Sequence, residues 1–282
     1  MRTTILSILL SFTLLDIQAQ EQQHVTTGYA PVNGLDMYYE IHGEGEPLVL
    51  IHGSFMTIDM NYGQLIPELA KSNQVIAVEL QGHGHTKNID RPFSFENFAQ
   101  DVAALLDHLG IPKANLAGYS LGATVALQTA ILFPEKVGKI VFISSVSKND
   151  GWIPAAREAI AGIQPEYITA SPLKSAYDAV APDKSQWNHF VSGMITFEHK
   201  PFDLGLENIK QLKAPICIIN GDYDGVDLSH SKEIFEAAGG GGFGVMEPLS
   251  PSRLAIIPGT THVTVMMQTD QILEVIAPFL SH

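Results

Sequence analysis

Apolar positions along this 282-residue chain follow two rhythms. "VTTGYAPVNGLDMYYEIHG" alternates on either side of Asn33-Gly34, the pattern of a β-hairpin closed by a tight turn. From "PLVLIHG" onward the apolar runs become continuous, as strands buried on both faces require. Between them lie stretches of helical period, "YGQLIPELAKS" and "SFENFAQDVAALLDHLG", the second opening at Ser94 and closing at Gly110. The alternation continues through "QVIAVEL", "KANLAG", a helix from about Ser120 to Phe133, "GKIVFISS", "APICIIN", "SRLAIIPG" and a last helix near Asp270 to Leu280. Such an order predicts an α/β fold: a mostly parallel central sheet with helices on both faces, preceded by an antiparallel hairpin.

The rhythm breaks between Ser147 and Lys213, where Trp152, Tyr167, Tyr177, Trp187, Phe190, Met194, Phe197 and Phe202 fall among prolines and polar residues. We read this stretch as an inserted helical cap. Aromatics there serve internal packing first, but an insertion at the carboxyl edge of a parallel sheet lies where ligands bind. The expected organisation is therefore a leader at 1–19, a first part of the core at 20–146, a cap at 147–213 and a second part of the core at 214–282. The glycine-rich "AAGGGGFGVMEPLSPS" reads as a loop.

Charge and the N-terminus narrow the function classes. A formal net charge of −14 without any cluster of Lys and Arg argues against a nucleic-acid partner. "MRTTILSILLSFTLLDIQAQ" places a basic residue before a short apolar stretch and a small-residue region around Ala19. This layout predicts a secretory signal peptide and an exported, periplasmic or secreted, protein. The stretch is shorter than the ~20 residues of a spanning helix, so no stable membrane span is expected. The single cysteine, Cys217, sits in an apolar run and reads as a buried thiol.

"AGYSLGATV" carries the candidate chemistry. Ser120 stands between Gly118 and Gly122, after an expected strand and before an expected helix. That context suits a nucleophile on a sharp turn, with the helix N-terminus favouring developing negative charge. A serine nucleophile needs a base and an orienting acid from other strand ends. Asp222 and Asp224 follow "CIIN", and His262 follows "LAIIPGTT". The spacing alone does not choose between the two aspartates, which share one face of an extended segment. The other strand end at which an acid could stand, after "GKIVFI", holds Ser144 and Ser145. Two backbone N–H groups are needed as an oxyanion hole: Leu121 follows the nucleophile, and "LIHGSF" offers Ser54, with Phe55 as the lesser alternative. His52 reads as structural. His83 and His85 lack a third ligand nearby, so no metal is expected. His189, His199 and His230 stand in no motif.

Together "LIHGSF", "VELQGHGHT", "LAGYSLGATVAL", "INGDYDG" and "IPGTTHV" resemble the α/β-hydrolase superfamily over nearly all of the chain after about residue 28. Within it the chain is similar to capped esterases, C–C hydrolases and perhydrolases. The resemblance implies Ser120 as nucleophile, His262 as base and Asp224 as acid, since the family's G-x-x-D pattern ends at 224. It departs from many relatives at Glu79, where they carry Asp, and at His85, where they carry Arg. Dehalogenases and epoxide hydrolases of this fold use Asp at the nucleophile position and dienelactone hydrolases use Cys. A serine implies acyl transfer to water without a cofactor. The expected protein is an exported serine hydrolase of a carboxylic ester, thioester or lactone, acting on a small, neutral and mainly apolar substrate. Perhydrolysis or C–C hydrolysis would use the same residues. A small-molecule binding protein of this fold is the reading from another class.

Overall fold

A computed structural model of the chain describes residues 25–245 and 248–281. The expected leader, residues 1–19, lies outside them. β1 (Thr26–Val32) and β2 (Leu35–His42) form the antiparallel hairpin, with Asn33 and Gly34 both at positive φ in its turn. The remaining strands are β3 (Glu46–Ile51), β4 (Asn73–Val78), β5 (Ala114–Tyr119), β6 (Val137–Ile143), β7 (Ile216–Tyr223) and β8 (Arg253–Thr261). They assemble in the order β1-β2-β4-β3-β5-β6-β7-β8. β2 meets β4 antiparallel, and every pairing from β4 to β8 is parallel.

The continuous apolar runs are explained by two cores, one on each face of this sheet. Val49 and Ile51 of β3 point into one, and Leu48 and Leu50 into the other. The first is covered by α3 (Phe95–His108) and α4 (Leu121–Leu132), the second by α1 (Ile58–Tyr62), α2 (Ile66–Leu69) and α11 (Thr269–Ser281). α3 begins where Ser94 Oγ accepts from the Asn97 amide, satisfying one of the donors a helix start leaves free. α4 is buried on all sides from Leu121 to Ala130, which is why its sequence shows no polar stripe. The stretch "YGQLIPELAKS", read as one helix, is two short ones: Gly63 closes α1, and Pro67, which has no N–H to donate, sits in the first turn of α2.

Between β6 and β7 the chain passes through α5 (Pro154–Ala161), α6 (Pro165–Thr169), α7 (Pro172–Val180), α8 (Trp187–Glu198) and α9 (Leu206–Lys210). Tyr177, Trp187 and Phe190 pack on one another, and Phe190 also meets Phe55, His83 and Phe93 from the loops and turns of the sheet's carboxyl edge. These aromatics join the helical segment to the first core. α10 (Leu228–Ala237) follows β7. Cys217 is buried, and burial pushes its thiol up to about 12. Among the described residues no helix is long and apolar enough to cross a membrane.

Candidate active site

Ser120 follows β5 directly and holds φ 52° and ψ −120°, a conformation that L-residues rarely adopt. Gly118 and Gly122 make this turn sterically possible. A Cβ on Gly122 would stand 2.0 Å from the Ile51 carbonyl oxygen, and one on Gly118 would stand 2.2 Å from Gly122. The bend is braced from behind. Ser120 N donates to Ile143 O at 2.9 Å, and Ser145 Oγ donates to Ser120 O at 2.8 Å while pairing with Thr124 Oγ1. Among the described residues, non-glycine positive φ values occur at Asn33, Phe55, Ser120 and Ser144. The last three follow β3, β5 and β6, so the strain gathers at one edge of the sheet, as at many functional sites.

His262 lies after β8 and meets Ser120 there. Its Nε2 is 3.1 Å from Ser120 Oγ, and its Nδ1 is 2.9 Å from Asp224 Oδ1. The Tyr119 hydroxyl donates to His262 O at 2.9 Å, and Trp152 packs against the imidazole in a T-shaped contact with centroids 5.5 Å apart. The two aspartates, unresolved by spacing, go separate ways because the register shifts between Gly221 and Tyr223. Asp222 is exposed and accepts from Thr260 N at 3.1 Å, whereas Asp224 is buried beneath the imidazole. Burial raises the Asp224 carboxyl, but the His262 ring, the Ser144 hydroxyl and the Val226 amide outweigh it and hold the group below the ordinary carboxylate value. Neither Ser144 Oγ nor Asp224 Oδ2 completes a hydrogen bond among the described residues. The loop that carries Asp224 is clamped by the start of the helical segment: Ile153 N donates to Gly225 O and Asp227 N to Gly151 O.

The loop after β3 runs beside Ser120, with Gly53 so close that a Cβ there would reach 3.4 Å from Ser120 Cβ. Three of its amides are committed: Gly53 N to Asn61 Oδ1 at 2.8 Å, Phe55 N to His83 Nε2 at 3.1 Å, and Met56 N to Gly53 O at 3.2 Å. Ser54 N is left without a partner among the described residues. Leu121 N, the first amide of α4, has no carbonyl one turn back to receive it. The amide of Phe55, the lesser alternative for the oxyanion hole, is thus occupied by His83.

The histidines of the two loops turn out to be struts. His52 Nδ1 faces Gly53 O at 2.8 Å and its Nε2 accepts from Leu80 N at 3.1 Å, while His83 joins Gln81 O to the Phe55 amide. Burial lowers both imidazoles, His83 far below its ordinary value, so both are neutral. His85 pairs with buried Glu79 at 2.9 Å, and that hydrogen bond raises its pKa. His230, which stands in no motif, is buried and accepts from Ser147 N. Among the described residues no three His, Cys, Asp or Glu side chains gather as a metal site.

Sequence reasoning missed two neighbours of the site. Trp152 was one aromatic among many. Glu198, at the end of α8, accepts a hydrogen bond from Ser54 Oγ, a contact between residues 144 apart that no local pattern announces. Behind Tyr119 a groove of about 260 Å³ opens, lined by Met56, Met60, Val263, Met266 and Met267.

The model of the α/β-hydrolase fold family matches residues 46–167. The dihydrolipoyllysine-residue acetyltransferase component of an acetoin cleaving system from Pseudomonas putida is 37 % identical over 134 residues, 47 % of this chain and 36 % of that protein. The serine hydrolase BPHL of Homo sapiens is 29 % identical over 212 residues, 71 % of each chain. Among solved structures, a 2-hydroxy-6-oxo-6-phenylhexa-2,4-dienoate hydrolase from Rhodococcus sp. strain RHA1 superposes with a TM-score of 0.74 at 18 % identity, covering 92 % of this chain and all of the other. The chain spans about half the length, or less, of most curated relatives it matches.

Proposed function

The chain belongs to the α/β-hydrolase superfamily, and on that footing we propose that it is an exported serine hydrolase cleaving a small carboxylic ester, thioester or lactone. The observation that carries this reading is the chain of contacts from Ser120 Oγ to His262 Nε2 at 3.1 Å and from His262 Nδ1 to Asp224 at 2.9 Å, beside two amides with nothing to bind. His262 Nε2 takes the Ser120 proton as Oγ attacks the carbonyl carbon. The carbonyl oxygen gains charge between Ser54 N and Leu121 N, each such donor being worth about 10²–10³ in rate. The imidazolium, steadied by Asp224, returns the proton to the leaving alkoxide or thiolate. A water deprotonated by His262 then attacks the acyl-enzyme, and Ser120 recovers its proton as the acid departs.

The aromatic residues of the helical segment and the acidic surface favour a neutral, mainly apolar substrate. Labelling by a fluorophosphonate probe, abolished in Ser120→Ala, together with turnover across acyl esters and lactones of graded size, tests the reading. A folded protein that neither labels nor turns over any of the panel would instead be a binding protein of this fold. Export rests on the tripartite N-terminal sequence. Intact-mass measurement on protein from its native host should show about 19 residues removed, and retention of all of them would contradict export.

A further inference from the structure

Glu198 is a carboxyl group that the helical segment brings to Ser54, beside Ser120, and the chemistry above does not use it. Its Oε1 accepts from Ser54 Oγ, while the amide of that same Ser54 is the unpaired donor assigned to the carbonyl oxygen. The carboxyl group is therefore separated from the reacting carbonyl by the span of one serine residue. It also lies within electrostatic reach of His262. On α8 it follows Met194, Ile195 and Phe197, all buried in the apolar core, and the protein around it disfavours its charged form and raises its pKa. Its second oxygen, Oε2, makes no hydrogen bond among the described residues and is not sealed from solvent. Oε2 therefore keeps an acceptor free for any donor that reaches it, water or ligand.

We propose that Glu198 determines specificity by accepting a hydrogen bond from a hydroxyl group that the acyl part of the substrate carries two or three carbons along from the scissile carbonyl. The inference rests on the serine-hydrolase reading and deepens it: the substrate is a neutral hydroxyacyl ester, apolar elsewhere. Ser54 would then serve twice, its amide holding the oxyanion and its hydroxyl fixing the carboxyl that reads the acyl chain.

The test compares p-nitrophenyl butyrate with p-nitrophenyl 3-hydroxybutyrate in wild type, Glu198→Gln and Glu198→Leu. Taking the ratio of kcat/KM for the two esters cancels any general damage to the site. Wild type should favour the hydroxy ester. Glu198→Leu should lower the ratio about tenfold, mainly through KM for the hydroxy ester, the loss expected for one hydrogen bond. Glu198→Gln, which keeps an acceptor oxygen and can still receive the Ser54 hydroxyl, should lose less than Glu198→Leu. Equal loss on both esters in Glu198→Leu would mean that Glu198 only braces Ser54 and would overturn the proposal, as would a wild-type preference for plain butyrate. Wild-type protein that hydrolyses neither ester would overturn the hydrolase reading, and this inference with it.

Discussion

Replacing Gly122 by alanine separates the geometry of the Ser120 turn from ordinary helix preference, because the two act with opposite sign. In an open helix, Gly→Ala stabilises by about 1 kcal/mol. Here the new Cβ would lie 2.0 Å from Ile51 O, 2.5 Å from Ile51 C and 2.6 Å from His52 O. Backbone atoms of a central strand cannot rotate away, and Ile51 O is further held by the Tyr62 hydroxyl at 2.9 Å. Reaching an ordinary contact requires the start of α4 to back away from β3 by about 1 Å, an overpacking that costs about 1–3 kcal/mol. Melting temperature should fall by about 2–4 °C for each kcal/mol. The same movement draws Ser120 and Leu121 N from His262 and Ser54 N, and a misplacement of about 1 Å lowers rates about 100-fold. Gly110→Ala is the control: φ is +68° and no atom lies within 4 Å, so it bears backbone strain alone and should melt lower with unchanged activity. Melting curves and ester hydrolysis measured on the two variants suffice. A Gly122→Ala protein that melts higher than wild type and keeps activity within threefold would refute the steric account.

Asp224→Asn should leave a folded protein whose kcat is lower by several orders of magnitude, about 10⁴ in the protease template, while exposed Asp222→Asn should leave kcat nearly unchanged; Ser144→Ala, removing the hydroxyl beside Asp224, should cost about threefold to tenfold in kcat/KM, and a severe loss confined to Asp222→Asn would reverse the assignment. Stability should decline as pH falls from 6.5 to 5, followed by thermal melts. Burial lowers His52, His83 and His230 in the folded state, so below the unfolded value of about 6.5 the unfolded chain binds protons that the native chain refuses, at up to about 1.4 kcal/mol per pH unit for each. His85, raised by Glu79, works in the other direction: its contribution is complete below about 6.5 and fades as pH rises through its folded value. Melting temperatures that stay level or rise on acidification would contradict this.

Strand order along the chain, the hairpin turn and the helix limits at Ser94 and Gly110 are local matters, and local residues announce them: Asn-Gly, a capping serine, a closing glycine. The setting of Ser120 was legible for the same reason, since two glycines must flank so tight a turn. What decides between Asp222 and Asp224 is a two-residue slip in register between β7 and β8, from Gly221 opposite Ile257 to Tyr223 opposite Thr261. No alternation of polar and apolar residues encodes that slip, because both aspartates lie beyond the buried part of the strand. Pro67 shows the converse. It is visible in the sequence, yet the periodic apolar residues around it suggested one continuous helix where there are two. The contact of Glu198 with Ser54 and the influence of Ser144 on Asp224 were not legible, because both are entirely tertiary. Glu198 ends an apolar helix and Ser144 follows a strand, and each matters only through a neighbour dozens of residues away.

The groove behind Tyr119 makes the site vulnerable to oxidants. Met267 is 65 % exposed and Met60 39 %, so their thioethers meet dissolved peroxide before any buried sulfur does. Conversion to sulfoxide turns a pliant apolar side chain into a polar, chiral one. Met267 ends the short 3₁₀ turn Thr264–Met267, which follows two residues after His262, whose carbonyl Tyr119 secures. Damage there would reach the imidazole through the chain itself, without touching Ser120. Activity lost to peroxide in this way would be recovered by methionine sulfoxide reduction rather than by refolding.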